Sequence, residues 1–297
     1  MKMITCSVGI MAYNEEQNIA QLLEAGQKQK LNTAKISEII VVASGCTDKT
    51  AYIVKNFSFN DSRIKLLIQE KREGKSSAIN YYLKNAQGDV IILESADTIP
   101  EEDTMEKLVL PFQDSKIGMT GAHPIPLNNP ATFMGFAAHL LWQLHHHVAL
   151  NEPKMGEMVA FRNIVRNIPE NSAVDEASIE AEIIKNGYQV AYVPEAIIKN
   201  KGSETIADFI RQRRRIHSGH LWLKDNFDHQ VSTMDGIKIF HLLIDNFNWS
   251  IKEILFTPCV IAMEMWGRFL GWYDYKIMKK NPQIWKISSS TKNLSTK

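Results

Sequence analysis

A short apolar strand that stops at acidic residues constrains the fold of this chain more than any other stretch. Residues 88–100 read GDVIILESADTIP, and the apolar run 90–93 is β-branched and too short for a helix. Pro100 is expected to prevent further strand pairing. An open α/β sheet binds its ligands at the carboxyl ends of such strands. Glu94 and Asp97 therefore suit a divalent metal, although an Asp-capped turn without a ligand explains the same residues equally well.

The residues around this strand alternate between strand and helix patterns. Three further apolar runs predict strands, at residues 4–11, 38–43 and 64–68. The segments between them predict helices, with Asn14 as the N-cap of the first and Gly74 at the start of the third. This order predicts a parallel sheet with right-handed crossovers. Its ligand-binding loops are expected at residues 12–15, 43–48 and 94–97.

Composition excludes several classes of protein. The 297 residues carry a formal net charge of +1, which argues against a general nucleic-acid binder. The three cysteines lie far apart, so neither a zinc site nor a disulfide framework is predicted, and a reducing, cytoplasmic compartment fits. The first residues do not have the pattern of a signal peptide. Without a run of about 20 uncharged apolar residues, no clean membrane span is expected.

The second half of the chain predicts more strands around one long helix. Strand patterns occur at residues 120–126, 156–162 and 188–193. Pro194 is expected to end the last of them. The long helix follows Pro130 and carries His139 and His146 on one face. These two residues either border an acceptor site or are ordinary histidines at the edge of the core, and the second interpretation is favoured.

An acidic pair begins another predicted helix. Asp175 and Glu176 open a segment that Gly187 is expected to end in the left-handed conformation. Two acids at a helix N-terminus stabilise the helix dipole, which explains them without any chemistry. A carboxylate at the same place also serves as a general base. From these residues alone the dipole interpretation is favoured.

Four motifs, in one order, resemble the nucleotide-sugar half of family 2 glycosyltransferases, the inverting enzymes with a GT-A fold. They are VGIMAYNEE, EIIVVASGCTDKT, REGKSSAIN and GDVIILESADTIP, and they cover residues 4–100. The resemblance implies an α/β, Rossmann-like GT-A fold with a mostly parallel central sheet flanked by helices. It also implies metal-dependent transfer of a sugar, with inversion, from a nucleotide-diphosphate donor to an acceptor hydroxyl.

The resemblance assigns donor-side roles to particular residues. Those implied to contact the donor are Ala12, Tyr13, Glu15, Ser44, Lys75 and Ser95. Ser44 stands where the family usually has an Asp that faces the base. Ser95 replaces the first carboxylate of the family's Asp-x-Asp motif. Asp97 is therefore the expected ligand of the Mg²⁺ or Mn²⁺ cofactor.

On the acceptor side, the same resemblance implies that the acidic pair, Asp175 and Glu176, is catalytic. By position Glu176 is the base and Asp175 lies beside it, although the family's usual order is Glu-Asp. Gln212 and Arg215 match the family's Gln-x-x-Arg-Trp pattern, with Ile in place of Trp. Arg215 is implied to bind the diphosphate and stabilise charge on the leaving group. By analogy with a late histidine in some GT-A enzymes, His220 is expected to complete the metal site.

After residue 230 the sequence changes character. The prediction is a glycosyltransferase domain over 1–230, with a nucleotide-sugar half (1–100) and an acceptor half (101–230), and a helical appendage over 231–297. Helices are predicted at 237–249 and 251–275, and a disordered polar tail at 288–297. The aromatic and lysine residues of 250–280 resemble a membrane-surface segment. A helical cap packed on the sheet, or a dimer contact, explains them equally well.

Two alternatives to a transferase remain open. A sugar-phosphate nucleotidyltransferase is expected to have a Gly-rich N-terminal loop with basic residues, and residues 9–16 lack both features. A nucleotide-sugar-binding module with lost catalysis is compatible with Ser44, Ser95 and the reversed acidic pair. The predicted partners are a nucleotide-diphosphate sugar and a lipid-linked or glycan acceptor, without nucleic acid. The predicted location is cytoplasmic, at the inner face of the cell membrane if the C-terminal helices attach there.

Overall fold

The computed structural model describes residues 3–227, 231–232, 236–247, 249–280 and 294. The strands in this part of the chain are β1 (Ile4–Ala12), β2 (Ala34–Ser44), β3 (Ile64–Gln69), β4 (Val90–Ser95), β5 (Thr98–Pro100), β6 (Ile117–Pro126), β7 (Met158–Arg162) and β8 (Gln189–Asn200). The described helices are α1 (Ile19–Gln27), α2 (Thr50–Asn60), α3 (Lys75–Leu83), α4 (Thr104–Val109), α5 (Phe133–Asn151), α6 (Asp175–Lys185), α7 (Ile206–Phe227), α8 (Gly236–Asp245) and α9 (Ile251–Trp272).

The strands form one mixed sheet in the order β3-β2-β1-β4-β7-β6-β8-β5. β1 is parallel to both of its neighbours, β2 and β4, and β3 is parallel to β2. β7 is antiparallel to β4 and β6, whereas β8 is parallel to β6. The predicted α/β class with a mostly parallel central sheet is therefore confirmed. Ala12, the last residue of β1, lies opposite Ala43 of β2, and Met11 lies opposite Ser95 of β4.

Alternating side chains place the core on both faces of the sheet. On one face, Val8 and Ile10 of β1 pack with apolar residues of α1, α2 and α4. On the other face, Ile40 and Val42 of β2 pack with residues of α3 and α6, including Tyr82. A sheet covered by helices on both faces has near-continuous apolar strands. This is the reason that the runs in β2 and β4 were recognisable in the sequence.

The first helix does not begin where it was predicted. Asn14 has φ of 53°, and α1 begins at Ile19 with Asn18 as the N-cap residue. Asn14 instead connects two loops: its Nδ2 lies 3.2 Å from Thr47 Oγ1, and its Oδ1 accepts from the Thr47 N–H at 2.9 Å. Asn tolerates this left-handed conformation better than most residues. The prediction of Asn14 as an N-cap was wrong because the side chain bonds across loops.

Pro100 ends a strand, as expected, whereas Pro194 lies within a strand that it was expected to end. Pro100 is the last residue of the edge strand β5, which pairs with β8. Pro194 lies inside β8, where the pairing with β6 shifts: Gly121 is opposite Tyr192, but His123 is opposite Ile197. The missing N–H of proline is tolerated at an edge or at an irregularity of this kind. The strand therefore continues past Pro194 to Asn200.

The C-terminal helices pack on the acceptor half. α8 is shorter than the predicted helix at 237–249, because it ends at Asp245. α9 approaches α7 closely: a Cβ on Gly267 would lie 2.7 Å from Arg213 Cβ, and one on Gly271 would lie 2.5 Å from the Arg214 carbonyl oxygen. The segment Ile251–Ile277 is long and apolar enough to cross a membrane by length and composition, and 22% of its most apolar window is buried.

The segment Ile251–Ile277 is thus a candidate membrane span, although no membrane-spanning helix was expected from the sequence. The apolar run is interrupted by Glu264 and Arg268, whose side chains form an ion pair at 2.8 Å. The predicted disordered tail at 288–297 lies outside the described residues, apart from Leu294. Leu294 is buried, and its N–H donates to Asn18 Oδ1. The proposed division of the chain at residue 230 stays a prediction.

Candidate active site

A cavity of about 980 Å³ opens at the carboxyl ends of β1, β2 and β4. Helices α5 to α9 form its other walls. All of the site residues predicted from the sequence line it: Ala12, Tyr13, Glu15, Ser44, Lys75, Ser95, Asp97, Asp175, Glu176, Gln212, Arg215 and His220. Positions more than 200 residues apart in the sequence are thus brought to one site.

The first two loops form a compact wall of this cavity. The Glu15 N–H donates to Thr50 Oγ1 at 2.8 Å, and the buried Glu15 carboxylate accepts from the Asn18 side chain at 3.1 Å. The Arg72 guanidinium lies over the ring of Tyr13, 4.1 Å from its centroid. A cation stacked on an aromatic ring makes a flat, charged surface. Such a surface is suited to a planar base.

Ser44 is also tied to a neighbouring strand. It ends β2, and its hydroxyl donates to Gln69 Oε1 of β3 at 2.6 Å. The side chain is buried and lines the cavity. A hydroxyl and an amide therefore stand where the family usually has a carboxylate, which changes the hydrogen-bonding pattern offered to a base.

Lys75 connects the donor and acceptor halves. It is the first residue of α3, after Gly74 with φ of 102°, and Asp175 and Glu176 begin α6. Lys75 Nζ lies 2.6 Å from Asp175 Oδ2 and 3.1 Å from Glu176 Oε1. The sequence indicated that Lys75 was near the nucleotide, but no local pattern linked it to the acids 100 positions later.

Burial and the mutual charge interactions have opposite effects on the pKa values of Lys75, Asp175 and Glu176. Burial disfavours ionised Lys75, but the two carboxylates outweigh it and raise the lysine pKa. Burial also raises the pKa of Asp175, despite the ammonium beside it. For Glu176, burial is outweighed by Lys75 and by a backbone hydrogen bond, so its pKa is lowered. Glu176 is therefore held ionised, as a proton acceptor must be.

Glu157 is a site residue that the sequence analysis missed. It precedes β7, has φ of 55° and lines the cavity with Asp97. Burial, together with the charges of Asp97 and Glu176, raises its pKa to about 7. The Asn200 amide donates to its Oε1 at 3.3 Å. A positive φ at a non-glycine residue has no sequence signal, so nothing local indicated that this carboxylate turns towards Asp97.

Glu94, which the sequence suggested together with Asp97 as suited to a divalent metal, belongs to the core. It lies in β4, is 3% exposed, and its Oε1 has no hydrogen-bond partner in the described part of the chain. Burial raises its pKa well above the ordinary value. A neutral Glu94 is a poor cation ligand, since hard cations prefer ionised carboxylates.

The expected metal ligands lie in different surroundings. Within the described residues, no group of three or more His, Cys, Asp or Glu side chains is arranged to hold a metal. Burial and the neighbouring Lys154, Arg213 and Arg268 lower the pKa of His220 well below its usual range. Asp97, by contrast, is beside the carboxylate of Glu157. The role of both residues as metal ligands stays a prediction.

Gln212 and Arg215 of α7, which the resemblance assigned to the site, line the cavity. The Ser203 hydroxyl lies 3.5 Å from Gln212 Oε1. Arg215 lies within electrostatic reach of Asp175, Glu176 and Glu157, although burial lowers its pKa. The guanidinium therefore interacts electrostatically with both the acidic pair and Glu157.

Among the three consecutive histidines of α5, His145 lines the cavity. His139 Nε2 lies 2.9 Å from the Asn128 carbonyl oxygen, and His146 Nδ1 lies 2.8 Å from Tyr192 Oη. His146 also stacks on His123 at 4.2 Å. The favoured interpretation, histidines at the edge of the core, therefore fits His139 and His146. Adjacent residues of a helix point in different directions, so His145 lies on another side of α5 than His146.

Comparison with known proteins places this site in a family. The model of the glycosyl transferase family 2 matches residues 7–153, and that of the glycosyl transferase family group 2 matches residues 90–276. The second match alone covers more than half of the chain. The chain belongs to the family 2 glycosyltransferases.

Two relatives of this family 2 glycosyltransferase have names that describe different activities. The chain is 26% identical over 267 residues to a poly-beta-1,6-N-acetyl-D-glucosamine synthase of Staphylococcus aureus. This alignment covers 85% of the chain and 62% of the relative. The chain is 25% identical over 206 residues to a dolichyl-phosphate beta-glucosyltransferase of Trichomonas vaginalis. That alignment covers 62% of the chain and 61% of the relative. The chain thus spans less than two thirds of the length of these relatives.

A solved structure confirms the GT-A fold implied by the motifs. The mannosyltransferase of Pyrobaculum calidifontis, in complex with GDP-Man and Mn²⁺, is similar with a TM-score of 0.65. The similarity covers 93% of this chain and 88% of that one, at 17% sequence identity. At this identity the comparison supports the fold alone.

Proposed function

We propose that this family 2 glycosyltransferase transfers a sugar from a nucleotide-diphosphate donor to an acceptor oxygen, with inversion at the anomeric carbon. The observation that carries the proposal is the contact of Lys75 with both Asp175 and Glu176 in a cavity that also contains Asp97. One cavity therefore holds a basic group suited to a diphosphate and a carboxylate suited to a proton. A catalytic site needs both within reach of one substrate.

In the proposed reaction, the acceptor oxygen attacks the anomeric carbon from the face opposite the diphosphate. A new carbon–oxygen bond forms, and the bond to the diphosphate breaks with its electron pair on the leaving nucleotide. The ionised Glu176 takes the acceptor proton. Arg215 and Lys75 are the described cations beside the acidic pair that balance charge on the leaving group.

The oxygen ligands of the site fit Mg²⁺ or Mn²⁺. The charge of Asp97 raises the pKa of Glu157, so a cation near both carboxylates would relieve their repulsion. Such cations commonly take one or two protein carboxylates and complete their shell with phosphate oxygens and water. Asp97, with Glu157 beside it and His220 as the second predicted ligand, would hold the ion. When bound, it neutralises charge on the diphosphate.

The C-terminal helices support attachment at the membrane surface. Trp266, Phe269 and Trp272 of α9 are 53%, 50% and 41% exposed, and they stack in succession along the helix. Exposed aromatic side chains on a helix are suited to the interface of a bilayer. The proposed location is the cytoplasmic face of a membrane, and the proposed acceptor is lipid-linked or a membrane-proximal glycan.

Vesicle sedimentation tests this attachment. The protein should co-sediment with vesicles of phosphatidylglycerol and phosphatidylcholine, and the Trp266→Ser/Phe269→Ser variant should remain in the supernatant. Donor binding by the variant should equal that of the wild type. Equal sedimentation of the two proteins would leave the exposed aromatic residues without this role.

The transferase proposal is tested with a panel of nucleotide sugars and Mn²⁺ or Mg²⁺. We expect binding by calorimetry and release of nucleoside diphosphate for at least one donor. Glu176→Gln should lower turnover by about 100-fold or more, because the proton acceptor is removed. Asp175→Asn is compared with it, and Glu182→Gln, a partly buried carboxylate on the same helix that does not line the cavity, should have nearly wild-type turnover.

The other outcomes separate the alternatives. If no nucleotide sugar binds, the proposed function is rejected. Binding without turnover of any donor and acceptor would indicate a nucleotide-sugar-binding module. Formation of a nucleotide sugar and pyrophosphate from a sugar phosphate and a nucleoside triphosphate would indicate a nucleotidyltransferase. If neither acid variant lowers turnover, the assignment of the base is wrong.

A further inference from the structure

A carboxylate and an amide that the proposed proton transfer does not use lie next to each other in the cavity. Glu157 precedes β7, Asn200 is the last residue of β8, and both line the cavity. The Asn200 Nδ2 group donates to Glu157 Oε1 at 3.3 Å, so the contact joins two strands. These two residues are called the amide–carboxylate pair below.

The amide–carboxylate pair lies beside the turn that carries Asp97. The Ser95 hydroxyl, at the end of β4, lies 3.5 Å from the Glu157 carbonyl oxygen. Asn200 lies opposite Thr98 of β5, the residue after Asp97. The pair is therefore at the carboxyl end of β4, the edge at which an α/β sheet binds its ligands.

The backbone at Glu157 adopts a conformation that is unfavourable for most residues. Its φ of 55° lies in the left-handed region, which glycine and asparagine tolerate better than glutamate does. The Met158 N–H donates to the Gly156 carbonyl oxygen at 2.6 Å and closes a tight turn around Glu157. Strained residues are concentrated at functional sites, where the role of the side chain compensates for the strain.

Asn200 contributes a buried oxygen that lacks a partner. The residue is 4% exposed, and its Oδ1 accepts no hydrogen bond from the residues that the structure describes. The Nδ2 side of the amide is directed at the Glu157 carboxylate, because only that side can donate to it. A buried amide oxygen without a donor is uncommon unless a ligand or water supplies one.

The chemistry of the amide–carboxylate pair restricts what it can bind. An ionised carboxylate and an amide oxygen both accept hydrogen bonds, so the ligand has to supply the donors. The hydroxyl groups of a sugar are such donors, whereas the oxygens of a diphosphate are acceptors and would be repelled by Glu157 and Asp97. A sugar therefore fits this part of the cavity better than a phosphate does.

The pair is within reach of both ends of the proposed transfer. Glu157 interacts electrostatically with Asp97, the expected metal ligand, and with Glu176, the proposed base. In the proposed reaction, the anomeric carbon is bonded to the diphosphate and is attacked by the oxygen that Glu176 deprotonates. The sugar thus connects the two groups with which Glu157 interacts.

We propose that Glu157 and Asn200 bind hydroxyl groups of the sugar that is transferred and so select the sugar of the donor. The proposal rests on the transferase function and assigns its sugar specificity to these two residues. A hydroxyl group that donates to a carboxylate makes a stronger hydrogen bond than one between neutral groups. The amide oxygen disfavours a sugar without the matching hydroxyl, because that oxygen would stay unpaired.

The test is calorimetry on the full chain with Mn²⁺ and UDP-glucose, UDP-N-acetylglucosamine or GDP-mannose, each compared with UDP or GDP alone. The ratio of the donor affinity to that of its nucleoside diphosphate isolates the contribution of the sugar. For the donor that binds most tightly, Glu157→Asn should lower this ratio by about tenfold or more, because a charged hydrogen bond is lost. Asn200→Leu should lower it by about threefold or more, because a neutral hydrogen bond is lost.

Two further variants make the comparison specific. Glu157→Gln keeps the length of the side chain and one acceptor oxygen, so it should lose less than Glu157→Asn does. Glu195→Gln, an exposed carboxylate of β8 that does not line the cavity, is the matched control and should keep the wild-type ratio.

Urea unfolding without ligand separates a binding role from a structural one. Glu157→Asn should unfold at the same urea concentration as the wild type or at a higher one, because Asn tolerates the positive φ. The substitution also removes a charge that Asp97 and Glu176 repel. A lower midpoint would indicate that Glu157 supports the fold, and would overturn the proposal.

Two binding results would also overturn it. Equal losses of affinity for the nucleotide sugar and for its nucleoside diphosphate would assign the amide–carboxylate pair to the metal or the diphosphate. Wild-type ratios in both Glu157→Asn and Asn200→Leu would leave sugar recognition to other residues; in either case the transferase function would stand. If the wild type binds no nucleotide sugar, the transferase function and this proposal are both rejected.

Discussion

Replacement of Lys75 by Met should destabilise the fold by about 3–5 kcal/mol at neutral pH, because one buried and one partly buried carboxylate lose their shared cation. The Lys75 side chain is 28% exposed, and those of Asp175 and Glu176 are 5% and 24% exposed. Arg215 also interacts with both acids, but burial already disfavours its charged form. Met retains much of the apolar volume of the lysine stem, so the main change is the loss of charge.

The destabilisation should depend on pH. Without Lys75, burial holds the pKa values of Asp175 and Glu176 above those in the unfolded chain. The variant then loses stability as pH rises from about 4, the unfolded carboxyl pKa, towards the folded values. In the wild type, the raised pKa of Lys75 stabilises the fold fully below the unfolded lysine pKa of about 10. The difference in the free energy of unfolding between the wild type and Lys75→Met should therefore increase from about pH 4 to about pH 7.

Urea unfolding followed by circular dichroism at pH 4.5, 6.0 and 7.5 measures this difference. Lys107→Met is the control, since the side chains of Lys107 and Asp103 are 34% and 50% exposed and form a pair at 2.7 Å, worth about 0–1 kcal/mol. Adding Asp175→Asn to Lys75→Met should restore part of the stability. A loss below 1 kcal/mol for Lys75→Met at pH 7.5, or one that does not change with pH, would refute the reasoning.

Three further predictions concern the packing and charges of the site. Gly9→Ala should lower stability by about 1–3 kcal/mol in urea unfolding, because its Cβ would lie 2.4 Å from the Tyr82 ring; wild-type stability would contradict this. Gly187→Ala, which meets open space but has φ of 83°, should cost only about 1 kcal/mol from backbone strain in the same assay. Asp97→Asn should lower the pKa of Glu157 from about 7 in a carbon-13 NMR titration. An unchanged pKa would show that the charge of Asp97 does not act on Glu157.

The donor half was predictable because its signals are local. The apolar runs of β1, β2 and β4 are buried on both faces, so each was visible in the sequence. Residues at the ends of parallel strands must meet at one edge of the sheet, which brings Ala12, Ser44 and Ser95 together. The start of α6 at Asp175 was also predictable, because acids favour a helix N-terminus.

The rest of the site depends on long-range contacts that leave no local pattern. The pairing of Lys75 with Asp175 and Glu176 joins α3 to α6, and the turn of Glu157 towards Asp97 requires a positive φ. Helical periodicity shows that the adjacent His145 and His146 point in different directions, but not that His145 lines the cavity while His146 bonds Tyr192. These arrangements follow from tertiary packing, which overrides local preference.

The close approach of α9 to α7 at Gly267 and Gly271 limits how this protein can be shortened. The contact leaves no room for a side chain, and the Arg214 guanidinium pairs with Asp274 just beyond α9. Arg215, the next residue of α7, interacts with the acidic pair. Deletion of the chain from residue 250 onward would therefore remove the support of the helix that carries Arg215. Replacement of the exposed aromatic residues of α9 would leave this support in place.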